Sequence, residues 1–363
     1  MSPTPKSRPT EKPSDITVRR RLQQHLTTTG LPRPEDVVEW LGAVQAQDYF
    51  GAVWAVGQRT RNATQATIEA AINEGRIVRS WPMRGTIHLM RARDVHWMME
   101  HFAPRVMRGL AGRQERHYGL DAAVLGRSRK IIISALEGGR QITRPALYRN
   151  LEQAGISASG QRGFHILGRL ALEGLICFGP RDGRQPTFAL LDEWVQSREH
   201  KNREEALGTL AKRYFTSHGP ATRHDFAWWS GLTLREVTAA IHLAGKSLSE
   251  EKVKGISWWC GTLRPRPRSA PPEVHLLPAF DEYGVAYRDR SAILPPGTGS
   301  GSVLVPTIVH RGMVVGTWTR SLLNRRVMLK IRPFQRLSST ARSSLERAAR
   351  RYSAFMGAPV TLK

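Results

Sequence analysis

The stretch LICFGPRDGRQPTFAL, residues 175–190, decides the fold. Its two ends, residues 175–178 and 187–190, are short apolar runs with β-branched and aromatic side chains. The residues between them, 179–186, are rich in glycine, proline and arginine. Two strand-like runs around such a connection predict a β-hairpin with a basic loop.

Three helical patterns precede this hairpin, at residues 123–136, 143–154 and about 161–173. Three helices followed by a hairpin is the element order of a winged helix, a DNA-binding unit. Residues 119–198 are therefore predicted to form one such unit. Its basic wing carries two candidate DNA contacts, Arg181 and Arg184.

The same order occurs before and after this unit. Residues 16–118 contain helical patterns at about 16–28, from Pro34 into Gln47, and at 63–74, with two short strands between Ile77 and Met90. Residues 199–262 contain helical patterns at 203–218, 222–230 and 233–243, with weaker strands near Lys252 and at 256–260. The chain is therefore predicted to be α+β, with three tandem winged-helix units. Arg79 and Arg84 in the first hairpin are further candidate DNA contacts.

The remaining residues form the two ends and a linker. Residues 1–15 are predicted to be a disordered basic tail, and the proline- and arginine-rich residues 263–272 a linker. Residues 273–363 are predicted to be a basic, β-rich C-terminal domain, with strands at 303–309 and 313–318. His310 and Arg311, in the turn between these strands, are candidate DNA contacts. The glycine-rich residues 297–302 lack the lysine and the strand-to-helix setting of a phosphate-binding loop.

Composition favours a nucleic-acid partner. The 363 residues include 55 lysines and arginines against 30 acids, a formal net charge of +25, which favours a polyanion such as DNA. An ordinary basic enzyme is the alternative. Cys177 and Cys260 show no redox or metal spacing, and the sequence shows neither a signal peptide nor an apolar run of membrane-spanning length. We expect a cytoplasmic protein that needs no metal or cofactor and does not bind membranes.

The candidate chemistry lies in the segment 44–48, VQAQD. Gln45 and Gln47 follow an apolar helical run, and in an unbroken helix their side chains would diverge by roughly 200°. They converge only if the helix ends here, which Gly42 favours. Each amide offers a donor and an acceptor, so the pair could hold a water molecule or a sugar oxygen. The alternative is a pair of solvated amides at a helix end.

Three separated motifs resemble the AlkZ type of winged-helix DNA glycosylases: QAQ at residues 45–47, RSWPMRGTIH at 79–88 and HLLPAFDEY at 275–283. The resemblance extends from about Ile16 to the C-terminus. It implies that the protein is one of a group of bacterial enzymes that excise bulky alkylated purines and unhook interstrand cross-links. It also implies a C-shaped molecule of three winged helices and a C-terminal β-barrel. The family motif, glutamine, an apolar residue, then glutamine or aspartate, falls on Gln45 and Gln47, which the resemblance makes the catalytic residues.

The chemistry agrees with this resemblance. Alkylation at N7 or N3 makes a purine cationic and already a good leaving group, so two neutral amides that position water suffice. The sequence thus predicts a monofunctional DNA glycosylase without lyase activity. The secondary candidates for the catalytic site are Asp48, Asp281 and His88. For each carboxylate, a role as helix cap or ion-pair partner is favoured over that of a base. For the histidine, core packing or a phosphate contact is favoured. Two tryptophan pairs could stack on bases, but we expect them to pack in the hydrophobic core: Trp228-Trp229 and Trp258-Trp259.

A DNA-binding regulator with inert glutamines is the alternative function. Regulators usually dimerise on two half-sites, and the sequence has no heptad seam. We therefore expect a monomer that binds double-stranded DNA without an obligate protein partner.

Overall fold

The structure is a computed structural model that describes residues 13–27, 30–261, 274–323 and 326–363. Residues 1–12 of the predicted tail and the whole predicted linker lie outside the described residues. The described part is α+β, as predicted. The division into three winged-helix units, the domain boundaries and the C shape stay predictions.

The elements up to residue 118 surround the first predicted hairpin: α1 (Pro13–Gln23), α2 (Pro34–Leu41), β1 (Val44–Gln45), α3 (Tyr49–Gly57), α4 (Gln65–Asn73), β2 (Ile77–Met83), β3 (Thr86–Arg91) and α5 (Val95–Tyr118). Thr64 caps α4, because its hydroxyl accepts from the backbone N–H of Thr67. Two predictions here were wrong. The first helix begins within the predicted tail and ends at Gln23, and the second ends at Leu41 instead of continuing into the glutamines.

The elements from residue 119 to 261 are α6 (Ala122–Leu136), β4 (Ile142–Thr143), α7 (Arg144–Gln153), α8 (Arg162–Leu172), β5 (Ile176–Phe178), β6 (Thr187–Leu190), α9 (Leu191–Trp194), α10 (Arg203–His218), α11 (Arg223–Ser230), α12 (Leu234–Ala244), β7 (Ser249–Val253) and β8 (Ile256–Cys260). They agree closely with the predicted helices and hairpins, except that the short elements β4 and α9 were not predicted. Thr143 and Thr222 both immediately precede a helix, α7 and α11 respectively.

The C-terminal part contains β9 (Val274–Leu277), α13 (Glu282–Val285), β10 (Thr307–His310), β11 (Met313–Leu323), β12 (Arg326–Pro333), α14 (Ser339–Met356) and β13 (Val360–Leu362). Its strands form one sheet in the order β13-β12-β11-β10-β9, curled into a half-barrel. The strand predicted at 303–309 begins only at Thr307, because a 3₁₀ turn occupies Ser300–Val303. The sequence did not predict α14.

A six-stranded sheet joins the first two hairpins in the order β1-β3-β2-β5-β6-β4. The junction is a pairing of Arg79 in β2 with Phe178 in β5. Helix α3 packs against the C-terminal part: the indole of Trp54 donates to the carbonyl of Leu276 at 2.6 Å and lies edge-on to Tyr352. The glutamine segment thus lies where the first hairpin, the second hairpin and the C-terminal part come together. No helix among the described residues is long and apolar enough to span a membrane.

Candidate active site

The glutamines lie on a short extended segment between α2 and α3. Gly42 ends α2 with a φ of 80°, a conformation that favours glycine. Val44 and Gln45 then pair with Leu89 and His88 of β3. The backbone N–H of Ala46 donates to the carbonyl of Ile87 at 2.7 Å. The segment that carries the motif is therefore a strand edge attached to β3, and the predicted helix is absent here.

Gln45 is fixed through both its backbone and its side chain. The residue is 7% exposed. Its backbone N–H donates to Oε1 of Glu282 at 2.8 Å, and its side-chain Oε1 accepts from Nη2 of Arg84 at 3.3 Å. The second contact assigns the amide orientation, because an arginine can only donate. Gln45 therefore directs its amide NH₂ away from Arg84.

Arg84 lies in a two-residue turn between β2 and β3, together with Gly85. Both residues have positive φ, 56° and 71°, as a type I′ turn requires. The same Nη2 that reaches Gln45 lies 3.2 Å from Nε2 of His88. Burial lowers the pKa of the Arg84 guanidinium. These contacts give Arg84 a role in positioning Gln45, and a DNA contact by this residue stays a prediction.

His88 is a packed, neutral histidine. Its Nδ1 lies 2.9 Å from the carbonyl of Thr86, so Nδ1 carries the proton and Nε2 accepts from Arg84. Burial and the charge of Arg84 lower the pKa of His88 to about 3. His88 is fully buried. It therefore supplies neither a proton near neutral pH nor a phosphate contact.

Sequence reasoning missed Glu282, whose carboxylate accepts from the backbone N–H of Gln45 and so holds the glutamine segment. This side chain is fully buried and also accepts from the indole N–H of Trp229 at 2.8 Å. Nε2 of His218 lies 3.5 Å from its Oε2, an ion-pair distance without an aligned hydrogen bond. Burial raises the pKa of Glu282, but His218 and the N–H of Gln45 outweigh burial and place it below its ordinary value. The sequence signal that could have identified Glu282 is the pair of acidic residues within an otherwise apolar stretch, AFDEY at residues 279–283.

The two carboxylates proposed as secondary candidates differ in their surroundings. Asp281 accepts two hydrogen bonds of 2.8 Å from the buried guanidinium of Arg59 and also accepts from the N–H of Tyr283. It thus has the cap and ion-pair role that the sequence favoured. Asp48 precedes α3 but makes no side-chain cap hydrogen bond. Asp48 is half-buried, and a role as a base stays a prediction.

Gln47 is exposed and lies at a cleft of about 330 Å³. Its Oε1 accepts from the backbone N–H of Ile87 at 3.2 Å, which directs its amide NH₂ away from β3. Gln45 and Gln47 are thus both attached to the same hairpin. Asp48 also lines the cleft, whose other described lining residues include aromatic side chains and arginines: Tyr49, Trp81, Tyr148, Phe164, Phe178 and Phe188, with Arg79, Arg144 and Arg181.

Arg79 has a structural contact where the sequence predicted a DNA contact. The residue is 8% exposed, and its Nε and Nη2 donate to the carbonyl of Ala46 at 3.2 and 2.9 Å. Its guanidinium lies 4.3 Å from the centre of the Phe178 ring. Burial lowers the pKa of Arg79 to about 10. Two of its donor groups thus hold the glutamine segment, and a DNA contact by this residue, which also lines the cleft, stays a prediction.

The remaining predicted DNA contacts lie on turns. Arg181 lies 4.8 Å from the ring centre of Tyr49, and Arg184 is exposed in the connection between β5 and β6. His310 and Arg311 lie at the β10–β11 turn and do not line the cleft. Their contacts with DNA stay predictions.

The tryptophan pairs divide between core and surface. Trp229 is fully buried, as expected for core, whereas Trp228 is 46% exposed and donates to the carbonyl of Val285. Trp258 and Trp259 are partly buried in β8. Within the described part of the chain, no three histidine, cysteine or acidic side chains are grouped to hold a metal ion.

Comparison with known proteins places the chain among the DNA glycosylases. A family described as DNA glycosylase AlkZ-like matches residues 38–355, and the chain belongs to this family. An interstrand DNA cross-link repair glycosylase from Streptomyces sahachiroi is 26% identical over an alignment of 326 residues, and the match covers 82% of this chain and 85% of that protein. The solved structure of the Streptomyces sahachiroi DNA glycosylase AlkZ matches with a TM-score of 0.76 and 22% identity, over 98% of this chain and all of that one. This last likeness is one of fold.

Proposed function

We propose that the protein is a monofunctional DNA glycosylase that hydrolyses the N-glycosidic bond of alkylated purines in double-stranded DNA, with Gln45 and Gln47 as the catalytic residues. Membership of the AlkZ-like family supports the reaction class. The cross-link repair named for the Streptomyces relative supports including bulky and cross-linked adducts among the substrates. We further propose that it acts as a monomer on DNA in the cytoplasm.

One observation carries the assignment of the two glutamines. The side-chain oxygen of Gln45 accepts from Arg84 and that of Gln47 from the N–H of Ile87, so both amides are oriented before any substrate arrives. Each amide then keeps its NH₂ group and a second lone pair for a water molecule or a sugar oxygen. Preorganised, uncharged groups of this kind stabilise a transition state without reorganisation at the moment of reaction.

The leaving group explains why neutral amides suffice. A base alkylated at N7 or N3 carries a positive charge and departs as a neutral purine, so little general-acid assistance is needed. The reaction needs a positioned water and a stabilised oxocarbenium-like sugar. His88 is neutral and buried, and Asp281 is engaged with Arg59, which leaves the amides and Asp48 for this task.

We also propose that the reaction stops at an abasic site. A glycosylase with lyase activity uses an amine nucleophile to form a Schiff base. The described residues that line the cleft beside Gln47 include three arginines and no lysine.

Base release from duplex DNA containing N7-methylguanine tests the proposal. Gln45→Ala and Gln47→Ala should each slow release by about 100-fold, while DNA affinity stays within a few-fold of wild type. Gln196→Ala, which removes an exposed glutamine after α9, is the matched control and should release base at the wild-type rate. DNA binding without base release by the wild-type protein would favour the regulator and refute the proposal.

A further inference from the structure

Phe50 is an exposed apolar ring, close to the glutamine segment, that the proposed hydrolysis does not use. It lies in the first turn of α3, three residues after Gln47, and is 37% exposed. Trp54, one turn further along the same helix, is buried and donates through its indole N–H to the carbonyl of Leu276. Phe50 is not among the described residues that line the cleft of Gln47. An anchored helix thus holds this ring beside the glutamine segment and outside the cleft.

Two arginines from separate parts of the chain lie against the ring of Phe50. The guanidinium of Arg181, in the connection between β5 and β6, is 5.5 Å from the ring centre, and that of Arg320, in β11, is 5.2 Å from it. Both distances are within the range of a cation–π contact. Arg320 is exposed and also donates to the hydroxyl of Tyr352 at 2.7 Å. The surface around this apolar ring is therefore positively charged.

An apolar side chain among cations is suited to entering a nucleic-acid duplex. Proteins insert side chains such as phenylalanine and leucine between two stacked bases, which unstacks one step and bends the duplex. Arginines near such a side chain can contact the phosphates on the outside of the same duplex. The net charge of +25 favours DNA over another protein as the partner of this surface.

We infer that Phe50 enters the base stack of the DNA near the lesion and unstacks one base step. The inference rests on the proposed glycosylase function and adds a residue that the reaction uses. Three residues of chain span at most about 10 Å, and stacked bases are about 3.4 Å apart. The unstacked step therefore lies within a few base pairs of the nucleotide that Gln47 contacts. Opening the stack there exposes a glycosidic bond that an intact duplex shields.

The fluorescence of 2-aminopurine reports this unstacking, because this base is quenched while it is stacked. Each duplex carries one N7-methylguanine on a 2′-fluorinated sugar, which slows loss of the base, and one 2-aminopurine between one and six base pairs away on either side. Saturating wild-type protein should raise the fluorescence by about threefold or more at one of these positions. The fluorescence of a 2-aminopurine more than one helical turn away should stay unchanged.

Substitutions of Phe50 separate insertion from support of the fold. Phe50→Ala should abolish the rise and slow single-turnover release of 7-methylguanine from the unfluorinated duplex by about tenfold or more, because the step must then open unaided. A mismatch next to the lesion already loosens the stack, so it should restore most of the rate lost in Phe50→Ala. Phe50→Leu keeps an apolar side chain and should retain most of the rise and of the rate.

Phe334→Ala is the matched control. Phe334 follows β12 and is 45% exposed, so the substitution removes an exposed ring elsewhere on the surface. It should change neither the fluorescence nor the rate of release. The thermal stability of each variant is measured in parallel, so that a loss of folding is recognised.

Three outcomes would overturn the inference while leaving the proposed function intact. Wild-type protein could release the base without raising the fluorescence at any position, or Phe50→Ala could keep the rise or the wild-type rate. Release by Phe50→Ala could also be slowed equally with and without the mismatch, which would mean that the ring only supports the glutamine segment. Failure of the wild-type protein to release 7-methylguanine would refute the proposed function, and this inference with it.

Discussion

Replacing Glu282 with glutamine tests whether the C-terminal part fixes the catalytic segment. The buried carboxylate accepts from the backbone N–H of Gln45 and from the indole N–H of Trp229, both at 2.8 Å. A glutamine has one acceptor oxygen, so its NH₂ group must face one of these two donors. A buried donor without a partner costs about 1–3 kcal/mol, and the lost hydrogen bonds to a charged group add to that. We expect the free energy of unfolding to fall by about 2–4 kcal/mol.

The same substitution should slow base release beyond its effect on stability. A displacement of the Gln45 backbone by about 1 Å can cost on the order of 100-fold in rate. Urea unfolding followed by tryptophan fluorescence gives the first quantity, and single-turnover base release well below the unfolding transition gives the second. Glu346→Gln, at an exposed position of α14, is the control and should change neither. Wild-type stability would refute the hydrogen-bond argument, and lower stability with a wild-type rate would refute the positioning of Gln45 by Glu282.

Three further predictions follow from charge and protonation. DNA affinity should fall by about three decades between 50 and 200 mM salt and depend little on sequence, since about six phosphate contacts release as many counterions; equilibrium titration checks this, and a flat response would contradict it. Burial lowers the pKa of His88 and of His275 from 6.5 to about 3. As the pH falls below 6.5, these histidines therefore take up protons in the unfolded chain before they do so in the folded protein. The free energy of unfolding should therefore decrease towards acid, by up to about 1.4 kcal/mol per pH unit for each histidine, with a smaller slope in His275→Asn; equal slopes in urea unfolding at pH 4 to 7 would contradict this. Finally, borohydride should trap no covalent protein–DNA adduct and uracil should be a poor substrate; a trapped adduct would reveal an amine nucleophile, and rapid uracil release a catalytic acid.

The sequence predicted best those elements whose signals are local. The hairpin β5–β6 follows from two apolar runs around a glycine- and proline-rich connection, and α10 begins where Asn202 and Glu205 form a capping box. Elements without such signals were missed. Nearly every residue of α3 is buried, so its sequence, YFGAVWAVG, has no amphipathic period.

The candidate site was predictable as a list of residues more than as a geometry. The motif resemblance identified Gln45 and Gln47 but not the strand on which they lie, because pairing of Gln45 with His88 depends on residues far apart in sequence. Long-range contacts likewise decide the roles of the charged residues. Arg79 donates to the carbonyl of Ala46, a contact that the sequence did not indicate. The acid pair in AFDEY marked Glu282 but did not show that its side chain accepts from the N–H of Gln45.

The most direct test of the account is the product released from N7-methylguanine DNA by the wild-type protein and by the Gln45→Ala, Gln47→Ala double variant. Mass spectrometry of a single-turnover reaction should find free 7-methylguanine and an intact strand with one abasic site for the wild type. For the folded double variant, which should still bind the duplex, we expect release slowed by at least about 100-fold. Wild-type release by the double variant would contradict the central claim that these two glutamines carry out the chemistry.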